Sequence, residues 1–298
     1  MEKKSRLFKA VDILYICMMV VPLLCGIVLK VLTKGPSNGI EISGAQIYFT
    51  IPMPIQNLPI TESQVNSAIV TVMLLGLCLF LTHGLKTRNV GVRQHVAEWI
   101  VENVDKLVCG SMGEYFMGFA SFIAAILGLS AFSSLLSLFG LYPPTSDINI
   151  VGGWAVLVFI LITYYKMKCG PLQYVKSFGD PVPFLAPLNI ISEVATPLSM
   201  AFRHYGNVLS GSVIAVLIGS ALQSASNALF GWLPGFLGDI PFLQFGLPAV
   251  LSIYFDVFSG LLQAYIFAML TMMYVSGGFP MELYFERKKK KAEKTANN

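Results

Sequence analysis

The chain has 298 residues, 55% of them hydrophobic and only 12% charged, with a formal net charge of +4 at pH 7. A soluble domain carries about 25% charged residues, so this composition excludes a soluble globular fold, and no nucleic-acid partner is expected. The apolar residues fall in runs near 20, the length a helix rising 1.5 Å per residue needs to cross about 30 Å of hydrocarbon. The expected fold class is an all-α, polytopic membrane protein.

The first apolar run, Val11–Leu32, follows Lys3, Lys4, Arg6 and Lys9. It is longer than the h-region of a signal peptide and no small-x-small site follows it, so it reads as a retained span. Val65–Leu85 is the second span. The segment Val92–Cys109 has a one-faced apolar pattern (Val92, Val96, Trp99, Ile100, Val104, Leu107, Val108) opposite Arg93, Glu98, Glu102, Asp105 and Lys106. That pattern predicts a helix lying in the interface plane. Spans three and four are Tyr115–Phe139 and Ile150–Met167. Two longer apolar stretches close the series, from Phe184 to Leu222 and from Phe242 to Val275, for about six spans in all.

Those two stretches exceed a perpendicular crossing. A helix from Pro187 to Leu222 is roughly 54 Å long at 1.5 Å per residue, against about 30 Å of hydrocarbon. No charged loop or tight polar turn interrupts either stretch. Long, strongly tilted helices are therefore expected rather than hairpins, with Pro187 and Pro197 as points of kinking and Ser192, Thr196 and Ser199 available to satisfy freed backbone groups.

All Lys and Arg residues except Lys30, Lys34 and Arg203 fall on one side of this six-span arrangement. The positive-inside rule puts that side, and both termini, in the cytoplasm. Leu141–Asn149 and Gln223–Gln244 contain no Lys or Arg and read as external loops. The terminal run from Arg287 to Lys294 reads as an anchor on anionic lipid. Cys17, Cys25, Cys78, Cys109 and Cys169 form no CxxC and have no His at metal-ligand spacing, so they read as small hydrophobes or free thiols. No metal or cofactor is expected.

Ionisable groups at membrane depth mark function by default. The candidates are Arg203 and Glu193 in the first long stretch and Asp256 in the second. Arginine does not lose its proton in a protein, so Arg203 is a fixed positive charge that needs an anion or a water-filled cleft. On a 3.6-residue repeat it shares a face with Ser192, Thr196, Ser199, Asn207 and Ser210, while Ser252, Asp256, Ser259 and Gln263 align on the second stretch. Two such stripes on neighbouring helices would enclose an aqueous path. Gly211, Ala215 and Gly219 make a smooth strip for close packing. The plainer reading is an internal Arg203–Asp256 salt bridge with the polar side chains as inter-helix glue. Glu193 reads equally as an interfacial or capping residue, His204 as a packing residue about 100° around the helix from Arg203, and His83 and His95 as solvated.

The segment NIISEVATPLSMAFRHYGNVLSG (Asn189–Gly211) resembles the signature helix of subunit a of F-type ATP synthases: an arginine followed by Gly-Asn, with Glu and Ser upstream. LLQAYIFAMLTMMY (Leu261–Tyr274) resembles that family's final helix, including its glutamine, and weaker similarity runs through Lys86–Val104 and Pro144–Lys168. The resemblance covers about Val65 to Gly277. It implies two parts: residues 1–64, an N-terminal membrane helix and external loop, and residues 65–298, a subunit-a-like ion-translocating membrane domain. By the resemblance Arg203 matches the stator arginine, and Asn207 and Gln263 match polar residues near two half-channels. Ser212 stands where many members have glutamate and Asp256 where many have histidine or another ionisable group. Arg-His-Tyr-Gly-Asn replaces the commoner Arg-Leu-Phe-Gly-Asn.

The resemblance further implies a rotor ring of c subunits, peripheral-stalk b subunits, and a multi-pass location in a bacterial cell (inner) membrane. In that setting Arg203 gates H⁺ or Na⁺ exchange with the rotor carboxylates. Asp256, Gln263 and Asn207 would line the external half-channel and Glu193, Ser192 and Ser199 the cytoplasmic one. The chain has no GxxxxGK[ST] phosphate loop, so it is read as a non-catalytic subunit whose partners carry the nucleotide chemistry. Two rival readings are a secondary transporter that binds an anion at Arg203, which lacks the expected half-to-half repeat, and a purely structural membrane subunit.

Overall fold

A computed structural model describes residues 2–33, 44–54, 57–87, 91–168, 170–171, 174, 178, 183–230 and 246–279. The Lys-rich end, Cys169 and residues 231–245, which include most of the expected external loop Gln223–Gln244 and the start of the second long stretch at Phe242, lie outside these. Six helices are long and apolar enough to cross a membrane, which bears out the all-α polytopic reading.

Helix α1 is Glu2–Thr33 and packs along α2, Glu62–Thr82. Between them Ile47–Ile51 (β1) pairs antiparallel with Leu58–Thr61 (β2), a hairpin absent from the sequence reading. Its alternation is too short, and Pro52 and Pro54 break it. Helix α3, Val92–Met112, is the interfacial helix expected from the pattern and is not among the six spans. Only its second half packs inward: Val108 and Met112 are buried, whereas Val92, Val96, Trp99 and Ile100 stay exposed. Gly113, at φ 85°, turns the chain from α3 into the next span.

That span is α4, Ala120–Leu135, extended at either end by 3-10 turns over Glu114–Phe119 and Leu136–Phe139. A 3-10 turn at Pro144–Ser146 leads into α5, Ile148–Lys168. Helix α6 is continuous over Ala186–Phe230, 45 residues, and passes through Pro197 without a break. The threonine before that proline donates to the carbonyl of Ser192 at 2.9 Å. At 1.5 Å per residue α6 is about 67 Å long, so the first long stretch is one helix and not a hairpin. The second begins as α7, Leu247–Ser252, continues through a π-helical turn over Ile253–Ser259, and ends as α8, Gly260–Gly277.

The core lies where α3, α4, α5, α6 and α8 converge. Val108, Met112, Phe116, Ile123, Val158, Ile162, Met200, Phe267, Met272 and Val275 form one buried cluster. Aromatic rings close its lower end, with Phe279 stacked on Tyr115 at 5.1 Å and edge-on to Phe116 at 5.6 Å. Helix α6 contributes little to this core; only 6% of its apolar window is buried, against 33% for the α4 span. Its close approach to the π turn runs through Gly211, where an added Cβ would press on Phe255, at 3.0 Å.

Two features depart from the sequence reading. His83 is not solvated: its Nδ1 lies 2.9 Å from Asp12 Oδ1, Arg93 Nη1 donates to the same oxygen at 2.9 Å, and Phe8 stacks on the imidazole at 4.3 Å. Asp12, which sits inside the first span, is thereby neutralised by residues of α2's end and α3. The four described cysteines are free thiols, one of the two expected readings, and they are exposed rather than buried.

Helices α4 and α8 touch at Gly260, where an added Cβ would stand 2.5 Å from Ser134 Cβ. Gly260→Ala should therefore lower the melting temperature of the detergent-solubilised protein, at a cost of about 1–3 kcal/mol. Adding Ser134→Gly, which removes the opposing Cβ, should recover most of the loss. Equal stability of the single variant and the wild type would show that the helices can separate freely.

Candidate ion-translocation site

Arg203 lies near the middle of α6 with its side chain exposed. Among the described residues it makes no hydrogen bond and no ion pair, and Asp256 is not its partner. The internal salt bridge of the plainer reading is therefore absent. Along the same face Ser192, Ser199, Asn207 and Ser210 are exposed and Thr196 is half-buried. The polar stripe inferred from the 3.6-residue repeat thus runs down the uncovered side of α6. Ser212 is also exposed and returns its hydroxyl to the Leu209 carbonyl at 2.8 Å.

One residue of the stripe reaches across to the bundle. Asn207 Nδ2 donates to Gln263 Oε1 at 2.9 Å, joining α6 to α8 beside the arginine. Gln263 is 1% exposed, so its amide must find its partners inside the protein. The neighbouring His204 points the other way. It is fully buried, edge-on to Trp154 and Phe267, with Nε2 3.3 Å from Ser130 Oγ and Nδ1 without a partner among the described residues. The packing reading of His204 holds.

Asp256 is half-buried in the π turn and lies near Ser137, whose hydroxyl donates to the Ser134 carbonyl at 2.7 Å. A π turn adds a residue to the helical repeat, so the simple alignment of Asp256, Ser259 and Gln263 on one straight face does not survive. The serine that meets Asp256 belongs to a set the sequence reading missed. Ser130, Ser133 and Ser134 are all buried, and Ser130, Ser134 and Ser137 recur at intervals of four and three along α4. This 3.6-period polar run inside an apolar helix was the signal available. The set connects His204, Gly260 and Asp256.

At the end of the bundle where α5 finishes, Glu193 accepts from Lys166 Nζ at 2.9 Å and from the Tyr174 hydroxyl at 3.0 Å, both on Oε1. Burial and the adjoining Glu193 carboxylate push the Tyr174 phenol up from its ordinary value, so it remains a donor.

At the opposite end lies a second acidic cluster. Glu62 is 2% exposed, pairs with Lys30 at 2.9 Å and accepts the Tyr142 N–H at 3.2 Å. Ser63 donates to the Asp147 carboxylate, and Asn66 Nδ2 donates to the Tyr142 carbonyl at 2.8 Å. Among the described residues the buried hydroxyls of Thr145 and Ser146 have no hydrogen-bond partner. In sequence Glu62 looks like an ordinary acid in the first turn of a helix, and nothing local distinguishes it.

Asn207→Leu should leave the Gln263 carbonyl oxygen buried without a donor and cost about 1–3 kcal/mol in thermal unfolding. Pairing it with Gln263→Leu should cost less than the sum of the two single changes, because the partners act as a unit. Strict additivity would rule the contact out.

A family model described as the ATP synthase A chain matches residues 65–276. The ATP synthase subunit a of Bacillus subtilis (strain 168) is 32% identical over 238 residues, covering 74% of this chain and 94% of its own. That of Bacillus pumilus (strain SAFR-032) is 32% identical over 226 residues, covering 70% and 90%. ATP synthase subunit a 1 of Crocosphaera subtropica (strain ATCC 51142 / BH68) is 26% identical over 225 residues, covering 73% and 88%. The matched region opens in α2 and closes in the last turn of α8, so it contains the exposed arginine, both polar stripes and the serine run. With six membrane-length helices and this match over most of its length, the chain is a multi-pass membrane protein of the ATP synthase A chain family.

Proposed function

We propose that the chain is the ion-translocating stator subunit of a rotary ATP synthase, with Arg203 as the fixed charge that faces the rotor. The observation that carries this reading is an arginine exposed on the uncovered face of a 45-residue membrane helix, with no acidic partner among the described residues. A guanidinium in hydrocarbon is costly. An anion brought by another subunit resolves that cost, and a ring of c subunits each carrying a membrane carboxylate supplies it. At about 4 Å and an effective dielectric near 20, opposite charges attract by roughly 4 kcal/mol before desolvation. That favours the ionised rotor carboxylate by close to three orders of magnitude, so each carboxylate gives up its ion as it passes.

Asp256, Gln263, Asn207 and Ser212 line the half-channel open to the outside, and Glu193, Ser192 and Ser199 the one open to the cytoplasm. Arg203 stands between them and repels any cation that would leak from one to the other. Helices α6 to α8 slant across the membrane to follow the curved rotor, which supplies a use for the length of α6. Residues 65–298 form the ion-translocating domain, and residues 1–64 add a membrane helix and an external segment. Peripheral-stalk b subunits hold the protein still. It sits in the bacterial inner membrane with both termini in the cytoplasm, and H⁺ is the coupling ion. The chain performs no nucleotide chemistry itself.

In inverted membrane vesicles carrying Arg203→Ala, the complex should assemble while ATP-driven pumping falls to background. Assayed separately for H⁺ and Na⁺, the wild type should move H⁺. Intact pumping by the assembled variant would sink the stator role of Arg203, and wild-type Na⁺ transport would replace the coupling ion. Asp256→Asn should slow pumping by about a hundredfold or more, as expected for loss of one proton-exchanging group. An unchanged rate would remove Asp256 from the path.

A further inference from the structure

Between the ends of α5, α6 and α8 lies a pocket of about 210 Å³, lined by Ile162, Lys166, Glu193, Thr196, Tyr274 and Gly278, among others. It has room for several waters. Its charged groups come from different helices: Lys166 from α5 and Glu193 from α6, joined at 2.9 Å. The lysine does not dangle. A Cβ on Gly278 would lie 3.0 Å from Lys166 Cε and 3.2 Å from its Cγ, so the aliphatic stem fills the space that a side chain at position 278 would take. The ammonium also lies 6.0 Å from the centre of the Tyr174 ring, on the side of the carboxylate that the phenol bonds.

We propose that Lys166 determines ion specificity in the half-channel that opens at Glu193: its ammonium holds the position a metal cation would occupy, so the pocket passes protons and rejects Na⁺. The proposal rests on the reading of Glu193 as a lining residue of that half-channel.

The physical case is one of occupancy. A Na⁺ ion entering a protein cavity needs oxygen ligands, and net negative charge, to replace its hydration shell. The one carboxylate lining this pocket is already matched by a resident cation, and the Tyr174 hydroxyl takes the same oxygen. Both donors use Oε1, which leaves Oε2 without a protein donor among the described residues. A proton needs no coordination shell. It can pass from water to Oε2 and back while the Lys166 contact on Oε1 stays in place. An alkali cation has to displace the ammonium or sit beside it against charge repulsion.

The test measures ATP-driven H⁺ pumping in inverted vesicles, whose outer face is the cytoplasmic one, as Na⁺ replaces choline at constant ionic strength. Wild type and Lys166→Arg should be insensitive to Na⁺. Lys166→Gln should become sensitive, its pumping halved at an Na⁺ concentration at least about tenfold below any that affects the wild type, the effect of one unit charge at close range in a partly screened site. As a check made after assembly, Lys166→Cys should show the Na⁺ inhibition, and aminoethylation of the thiol should relieve it where methylation does not; the wild type carried through the same reagents corrects for the native cysteines. Na⁺ insensitivity of Lys166→Gln or Lys166→Cys would overturn the proposal while leaving the Arg203 result untouched. Loss of pumping in Arg203→Ala alone therefore tests the stator reading independently.

Discussion

A guanidinium cannot shed its proton to enter a membrane, and this constraint orders the rest of the molecule. Arg203 sits near the middle of α6 on the side away from the bundle. The serines of its face are exposed with it, while a few neighbouring polar groups reach the bundle. Asn207 bonds Gln263, His204 meets Ser130, and Asp256 lies near Ser137. No acid among the described residues is spent on Arg203, so its charge remains available to a partner. An internal ion pair would have stabilised nothing a hydrophobic pair could not, and it would have hidden the one group whose charge is permanent.

The packing follows the same division. The conventional core, built from α3, α4, α5 and α8, supplies a rigid wall with α6 laid against it. Helix α6 buries little of itself, touching the wall at Met200, Ala201 and His204 and at the Gly211–Phe255 contact. A helix this exposed and this long is held by its few inward residues, and its outward face is left free of internal demands. The π turn at Ile253–Ser259 lets the opposing chain bring Asp256 to the serines of α4 while Phe255 reaches Gly211. Such an added residue within a helix is a common device where side chains must be re-aimed.

Much of this was legible from residue order. The six spans, the interfacial helix, the unbroken first long stretch and the polar stripe around Arg203 follow from apolar run length and a 3.6-residue period, which are properties of single segments. What escaped was every pairing between segments. Asp12 looks like a stray acid at the start of a span until Arg93 and His83 meet it. Glu62 reads as a helix-start acid until Lys30 and Tyr142 enclose it. The Ser130, Ser134 and Ser137 run was visible by period, yet serines are common in membrane helices and gained meaning only from what lies opposite.

The sequence by itself determined that this protein spans a membrane, how many times, and which helix carries an irreducible charge. Hydrocarbon imposes length and polarity on each segment separately, so those answers need no knowledge of neighbours. Only the tertiary structure decided that Arg203 faces outward while His204 faces in, that Asp256 answers to α4 rather than to Arg203, and that Lys166 and Glu193 share a pocket. Those outcomes depend on which helices touch and at what register, because a charge's energy is set by the few ångströms around it and not by its place in the chain.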